Sequence, residues 1–257
     1  MCELFGVSAR KKIQVNDLLK EFFSHSVRHP NGWGLAFFYG NAVSLEKEPV
    51  TACKSQYLKE RLRHKIEADT MMAHIRLATR GTMEYENCHP FLQRDSKDRT
   101  WTLMHNGTVF EGPQIDRYIG EQDGQTDSER ILRFIVDMVN VRQRGQAGPL
   151  NAWQRFDVVL KCVESLAGRA KLNLMIYDGD LFYTHTNYAG SLHMARTESG
   201  KIFATTPLGR LAWEPLELNV VSAFRAGELV YQSEPHLSEY VDNEEDQKYL
   251  FADYAEL

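Results

Sequence analysis

The chain has 257 residues, of which 43% are hydrophobic and 25% are charged, and this composition predicts a globular protein of one large or two modest domains. Its net charge of -5 gives no excess of positive charge that would attract nucleic acid or an anionic membrane. No apolar run approaches the roughly 20 residues of a membrane span, and the N-terminus lacks the basic flank of a signal peptide. We therefore predict a cytoplasmic protein that binds neither nucleic acid nor a membrane.

The cysteines are widely spaced and form no CxxC pair: Cys2, Cys53, Cys88 and Cys162. Such spacing predicts neither a disulfide framework nor a structural zinc site. Cys88 and His89 could surround a metal ion together with His74 and His105, but adjacent ligands without recurrent spacing give this idea little support. We expect no metal and no organic cofactor.

The first part of the chain alternates strand and helix signals, which come from hydrophobic periodicity and from Gly and Pro positions. In order, the predicted elements are a strand at 2–9, a helix from Asn16 or Asp17 whose apolar set ends at Val27, a loop at 29–34, a strand at 35–39, a Gly40-Asn41 hairpin, a strand at 42–45 and a helix at 56–66.

The middle of the chain predicts a central strand at 70–77 that pairs with a strand at 101–105 across a long polar loop. Thr126 to Glu129 is a capping-box pattern, which opens a helix that ends near Gly145. A second helix follows at 150–166, with Trp153 on its apolar face, and Gly168 ends it. Period-two segments then predict strands of one sheet at 172–176, 181–185, 192–195, 202–205, 216–221 and 229–232, before an acidic stretch at 242–246. Together these elements predict one layered α/β domain.

Cys2 is the first candidate for chemistry, because removal of Met1 would place a thiol and a free amine on one residue. The unperturbed pKa values are about 8.5 for the thiol and about 7.7 to 8.0 for the amine. Nucleophile and general base would then share a residue. The alternative is that Cys2 is a small apolar residue at the start of a buried strand.

Three further positions suit the binding of an amino-acid amide. Asn106-Gly107 predicts a turn whose amides could stabilise an oxyanion, or an ordinary hairpin turn. Arg76 lies in an apolar strand. Its guanidinium could bind a substrate carboxylate, form an internal salt bridge, or be exposed to solvent through strand alternation. Asp127 could bind an α-ammonium group or act only as a helix-start residue.

Six segments in this order resemble the class II glutamine amidotransferase domain of the N-terminal-nucleophile hydrolases, most closely the small stand-alone bacterial members. The segments are Met1-Cys2-Glu3-Leu4-Phe5-Gly6, Asn31-Gly32-Trp33-Gly34, Ala73-His74-Ile75-Arg76-Leu77-Ala78-Thr79-Arg80-Gly81, Asn87-Cys88-His89-Pro90-Phe91, His105-Asn106-Gly107 and Thr126-Asp127-Ser128-Glu129. Each segment is short, but the ordered combination is specific. The resemblance implies an α+β fold, a four-layer αββα sandwich of two mainly antiparallel sheets between helix layers, as a single domain over residues 2–257.

The resemblance also implies roles for individual residues. Cys2 would be the nucleophile, its amine the general base, and Asn106 and Gly107 the oxyanion hole. Arg76 would bind the glutamine α-carboxylate, and Asp127 with the Gly107 carbonyl would bind the α-ammonium. The remaining family positions are Thr79 and Arg80, expected beside the carboxylate, and Gly32, Trp33, His74 and His89, expected to shape the pocket.

The implied reaction is hydrolysis of the γ-amide of glutamine or a γ-glutamyl amide through a Cys2 thioester. Three hypotheses remain: a self-contained hydrolase, an ammonia-supplying subunit that docks on a separate synthase, and a binding or regulatory protein without turnover. The family's synthases carry a second domain that consumes ammonia, for which this sequence has no room. We therefore expect glutamate release without a partner.

Overall fold

The computed structural model of the chain describes residues 2–79, 81–246 and 248. The strands of this part are β1 (Glu3–Gln14), β2 (Trp33–Tyr39), β3 (Ala42–Glu48), β4 (Glu67–Ile75), β5 (Phe91–Arg94), β6 (Thr100–Val109), β7 (Ala170–Tyr177), β8 (Phe182–Thr186), β9 (His193–Arg196), β10 (Gly200–Ala204), β11 (Trp213–Pro215), β12 (Val220–Arg225) and β13 (Glu228–Gln232). The α-helices are α1 (Asn16–Ser24), α2 (Gln56–Arg61), α3 (Pro113–Asp116), α4 (Asp127–Gln143) and α5 (Ala152–Ala167).

These strands form two antiparallel sheets. The seven-stranded sheet has the order β11-β9-β10-β1-β4-β2-β3, and the six-stranded sheet has the order β13-β12-β8-β7-β6-β5. The centre of the first sheet is the β1–β4 pair, in which Leu4 lies opposite His74. In the second sheet β6 lies between β5 and β7, and in the β6–β7 pair Asn106 lies opposite Asn173.

Three hydrophobic clusters hold these elements in four layers. One contains Phe22 of α1 and Leu58 of α2 and packs them on the seven-stranded sheet. Another contains Ile135 of α4 and Val159 of α5 and packs them on the six-stranded sheet. The third lies between the sheets and includes Met104. The predicted αββα sandwich is therefore confirmed.

The predicted pairing of residues 70–77 with residues 101–105 is wrong. Strand β4 pairs with β1 and β2 in one sheet, whereas β6 pairs with β5 and β7 in the other. The intervening segment is not a simple loop, because it carries the chain from one sheet to the other and contributes β5. The strands after residue 170, predicted to form one sheet, also belong to both sheets. Strands β9, β10 and β11 join the first sheet, whereas β7, β8, β12 and β13 join the second.

The predicted turn at Asn106-Gly107 is also wrong, because β6 continues through both residues to Val109. Gly107 serves close packing within the strand rather than a turn. A Cβ there would overlap the Lys171 carbonyl oxygen of β7, so only glycine fits without moving a neighbouring strand.

Helix boundaries and faces differ from the sequence prediction in three places. Helix α2 ends at Arg61 rather than continuing to Ile66. Val27 is 74% exposed because a 3-10 turn at His25–Arg28 follows α1 and breaks its 3.6-residue period. Trp153, expected on the apolar face of α5, is 55% exposed. The Thr126 cap is confirmed, since its side chain accepts a hydrogen bond from the Glu129 amide.

Candidate active site

The candidate site begins at the ends of β1 and β4. Leu4 and Met72 lie in the cluster between the sheets, whereas their neighbours Phe5 and Met71 face the α1–α2 layer. Successive side chains of a strand point to opposite faces. Cys2 lies two residues before Leu4, and Arg76 lies four residues after Met72. The side chains of Cys2 and Arg76 therefore point to the same side as Leu4 and Met72, toward the second sheet.

The Cys2 thiol is partly exposed and donates a hydrogen bond to the Leu77 carbonyl oxygen, with 3.4 Å between Sγ and O. Burial raises the pKa of this thiol above its ordinary value; the Arg76 charge acts in the opposite direction, and the Asp127 charge acts with burial. Both charged groups thus lie within electrostatic range of the sulfur. Because burial prevails, the thiol is mainly protonated near pH 7, and a nucleophilic role requires a base.

The Arg76 guanidinium is 2% exposed and donates to the carbonyl oxygens of Gly81 and Thr82, both at 2.9 Å. Burial lowers the pKa of Arg76, while the charges of Cys2 and Asp127 oppose that effect. An arginine remains charged after a moderate shift of this kind. The site therefore holds a fixed positive charge beside the thiol.

Asn31 and Asn87 hold the loop around Arg76. Both belong to the segments that carry the family resemblance, but the sequence predicted no role for them. Asn31 Oδ1 accepts from the Ala78 amide at 3.0 Å. Asn87 Nδ2 donates to the Thr82 carbonyl at 3.0 Å, and its Oδ1 accepts from the Gln125 amide at 2.7 Å. These bonds tie three loops together, so the position of the guanidinium depends on them.

The open edge of β6 presents the Gly107 amide. Phe110 N–H bonds to the Arg169 carbonyl on the β7 side, whereas Val109 N–H bonds to Asp127 Oδ2 on the opposite side. Backbone groups alternate along a strand, so Gly107 N–H points to the same side as that of Val109. Strand β5 pairs with β6 only as far as Leu103. No strand of the described chain covers Gly107 on this edge, and its amide and carbonyl face the site.

Asp127 is positioned by the packing of His105. The His105 ring bonds through Nδ1 to the Ser128 hydroxyl and through Nε2 to the Lys171 carbonyl, each at 3.0 Å. This ring lies against Gly107, where a Cβ would come within 2.6 Å of Nε2. The start of α4 is thereby fixed to β6 and β7. As a result, Asp127 Oδ2 accepts from the Val109 amide at 2.8 Å.

The loop after β4 reaches the second sheet at Thr79. Its hydroxyl lies 3.5 Å from that of Thr108, which follows Gly107 in β6. Arg80, the other residue predicted beside the substrate carboxylate, lies outside the described residues. So does Met1, so its predicted removal stays a prediction.

The four predicted pocket residues fall into two groups. Gly32 has a φ of 139° and accepts from the Arg76 amide at 2.8 Å, whereas Trp33 is buried against the α1–α2 layer and donates to Glu48. The rings of His74 and His89 lie against each other, with centroids 4.0 Å apart and planes tilted by 53°. Burial lowers the pKa of both imidazoles well below the ordinary value, so they are neutral at pH 7.

The part of the chain that the structure describes has neither a cluster of metal ligands nor a membrane-spanning helix. Within residues 2–79, 81–246 and 248, no group of three or more His, Cys, Asp or Glu side chains could hold a metal ion. In the same part of the chain, no helix combines the length and the apolar character needed to cross a membrane.

Comparison with known proteins gives a consistent result. The family model described as "Glutamine amidotransferases class-II" matches residues 1–198. Protein MJ1515 of Methanocaldococcus jannaschii, described as uncharacterized, is 29% identical over 91% of this chain and 72% of its own length. YafJ of Escherichia coli, which its name describes as a candidate glutamine amidotransferase, is 29% identical over 73% of this chain and 74% of its own length.

Solved structures show the same fold. A predicted glutamine amidotransferase from Pseudomonas aeruginosa superposes with a TM-score of 0.62 at 21% identity, over 90% of this chain and 100% of that one. The glutamine phosphoribosylpyrophosphate amidotransferase of Bacillus subtilis gives a TM-score of 0.65 at 16% identity, over 92% of this chain and 50% of that one.

Proposed function

The chain belongs to the class II glutamine amidotransferases, whose chemistry is hydrolysis or transfer of the glutamine amide, and we propose that it hydrolyses a γ-glutamyl amide through a thioester on Cys2. In this proposal Cys2 is the nucleophile, and its amine, free after loss of Met1, is the base. Asn106 Nδ2 and the Gly107 amide donate to the oxyanion. Glutamine is the simplest substrate that fits.

One observation carries the proposal: Cys2 lies within electrostatic range of one buried cation and one buried carboxylate. Arg76 directly precedes Leu77, whose carbonyl oxygen accepts from the Cys2 thiol. Asp127 accepts from the Val109 amide on the edge of β6 that presents Gly107. Both charges act on the pKa of the thiol, though less than burial does. A free amino acid has an α-carboxylate and an α-ammonium that require this pair of partners. The same two charges near a thiol suit a substrate bound by its amino-acid end with its side chain at the sulfur.

The proposed chemistry takes place in two steps. The Cys2 amine removes the thiol proton, the sulfur bonds to the carbonyl carbon of the γ-amide, and the carbonyl electron pair moves to oxygen, where Asn106 and Gly107 donate hydrogen bonds. The carbonyl then re-forms, the C–N bond breaks, and the protonated amine gives its proton to the leaving nitrogen. Water attacks the thioester by the same route and releases glutamate.

Activity of the pure protein distinguishes the self-contained hydrolase from the ammonia-supplying subunit. We expect purified protein that begins at Cys2 to release glutamate from at least one member of a panel containing glutamine and larger γ-glutamyl amides. The rate should not change with added nucleotide or chelator, because no step uses either. Enzymatic measurement of glutamate checks this result. No hydrolysis by the pure protein, with strong activation by a cell lysate, would instead favour the ammonia-supplying subunit.

A second prediction concerns substrate capture at the two charged groups. Arg76→Lys and Asp127→Asn should each lower kcat/KM by about 10- to 150-fold, as expected for loss of about 1.5 to 3 kcal/mol from a hydrogen bond to a charged group. The effect should appear mainly in KM. Asn at position 127 can still accept from the Val109 amide, so the fold should be retained. Initial rates against substrate concentration provide the measurement.

Two conservative changes on the same helix serve as controls for that prediction. Arg133→Lys alters a guanidinium that binds Glu129, and Asp137→Asn alters a carboxylate that accepts from Tyr118. Neither group is assigned to the site, so kcat/KM should stay within about twofold. Unchanged kcat/KM in folded Arg76 and Asp127 variants would show that these residues serve the fold alone.

A further inference from the structure

Asn173 of β7 lies directly across from Asn106 on the neighbouring strand. Two residues along each strand, Met104 and Met175 form the adjacent cross-strand pair and lie in the cluster between the sheets. By strand alternation the two asparagines point to that same face. Residues directly opposite in an antiparallel pair have Cβ atoms about 4.5 to 5.5 Å apart. The two carboxamides are therefore neighbours.

The two side chains have complementary unused groups. Asn106 Oδ1 and Asn173 Nδ2 are both buried, and neither makes a hydrogen bond within the described part of the chain. One is an acceptor and the other is a donor. Because buried polar groups are rarely left without partners, a direct bond after a small rotation, or one bridging water, is the expected arrangement.

The carboxamide oxygen of Asn173 is bound by two hydroxyl groups. Asn173 Oδ1 accepts from Thr186 at 2.6 Å and from Ser191 at 2.8 Å. Both hydroxyls also lie near the Tyr188 carbonyl oxygen, Thr186 at 3.1 Å and Ser191 at 2.6 Å, and for Thr186 the contact to Asn173 is the shorter one. With Oδ1 occupied on this side, the Asn173 NH2 group is directed to the other side.

From this geometry we propose that Asn173 is a positioning residue, which holds the Asn106 carboxamide with its oxygen turned away from the reacting carbonyl. This inference rests on the proposed function. An asparagine stabilises an oxyanion only through its NH2 group, and a flipped amide would present an oxygen to the developing negative charge. A donor at Asn173 that engages Asn106 Oδ1 favours the productive orientation. Asn173 itself does not touch the substrate.

The test replaces the donor by a group of similar volume. Asn173→Leu should lower kcat by at least about fivefold, up to the roughly 100- to 1000-fold reported for complete loss of an oxyanion donor, with KM within about twofold. Asn173→Asp keeps an acceptor for Thr186 and Ser191 but attracts the Asn106 NH2 group, so its kcat should fall further. This second variant carries the test if the leucine variant does not fold, as judged by circular dichroism and thermal melting.

A double-mutant cycle separates positioning from a general structural effect. If Asn173 acts through Asn106, Asn173→Leu should change kcat by less than about twofold in an Asn106→Ala background. Thr102→Val is the matched control, because it removes a buried hydroxyl from the same face of β6 and should leave kcat within about twofold.

Three outcomes would count against the inference in different ways. Folded Asn173 variants with wild-type kcat would overturn it and leave the proposed function intact. So would an Asn173→Leu effect of equal size with and without Asn106. A wild-type protein that begins at Cys2 and releases no glutamate from any γ-glutamyl compound would overturn the proposed function and this inference together.

Discussion

Cys2→Ala is expected to abolish glutamate release while leaving the fold intact. The side chain is small and partly exposed, and its one hydrogen bond within the described chain is a long contact to the Leu77 carbonyl. Its removal should therefore change the midpoint of thermal unfolding little. In the proposed mechanism Cys2 is the nucleophile, so its loss removes the thioester route.

The assay should measure glutamate at high protein concentration, so that a residual rate 1000-fold below wild type is detected. Cys53→Ala is the matched control, because Cys53 is an exposed thiol outside the site. Wild-type thermal unfolding together with wild-type glutamate release by the Cys2→Ala protein would remove the central claim.

The pH dependence has a defined sign. Burial raises the pKa of the Cys2 thiol, so less thiolate is present near pH 7 than for an ordinary cysteine. The rate should therefore increase as the pH rises from 7 toward the raised pKa of the thiol. Because the folded state favours the neutral thiol, its contribution to stability is full below the unfolded pKa of about 8.5 and is lost as the pH rises from there through the raised pKa of the folded state.

The sequence was sufficient for the family and for most local structure around the site. The apolar residues at 2–9 predicted a buried first strand, the glycines near residue 32 predicted the loop before β2, and the Thr126 cap predicted the start of α4. These signals are local, since they depend on periodicity and on backbone requirements of single residues.

The errors came from contacts between distant parts of the chain. Strands β4 and β6 are both apolar, and nothing in their composition tells that they belong to different sheets. Gly107 was interpreted as a turn residue because Asn-Gly is a common hairpin signal, but its requirement comes from the Lys171 carbonyl, 64 residues away. Periodicity within one segment contains no information about such a neighbour.

The roles of Asn87 and Asn173 were missed for a related reason. Asn87 bonds both to Thr82, which is near it in sequence, and to Gln125, which is distant in sequence. Asn173 interrupts the apolar run Leu172-Asn173-Leu174, and a polar residue in a buried strand was the available signal. That signal marks a polar contact on the inward face, but only the β6–β7 register identifies Asn106 as its neighbour.

Blocking the Cys2 amine should suppress the rate strongly even though the thiol remains. Two proteins made by cleavage of a fusion would test this: one begins at Cys2, and the other carries a single extra glycine before it. Proton transfer by a positioned base is worth roughly 100- to 10,000-fold, so the extended protein should lose about that factor in kcat. Mass spectrometry establishes each N-terminus, and glutamate release gives the rate.

Retained Met1 and an acetylated Cys2 amine should have the same effect as the extra glycine, because each leaves the thiol but removes or displaces the amine. Cys2→Ala in the extended protein is the control that defines the background of the assay. Equal kcat for the extended protein and the protein that begins at Cys2 would contradict the role of the amine. The base would then have to be another group, and His74 and His89, which are neutral imidazoles at pH 7, would be the first to replace.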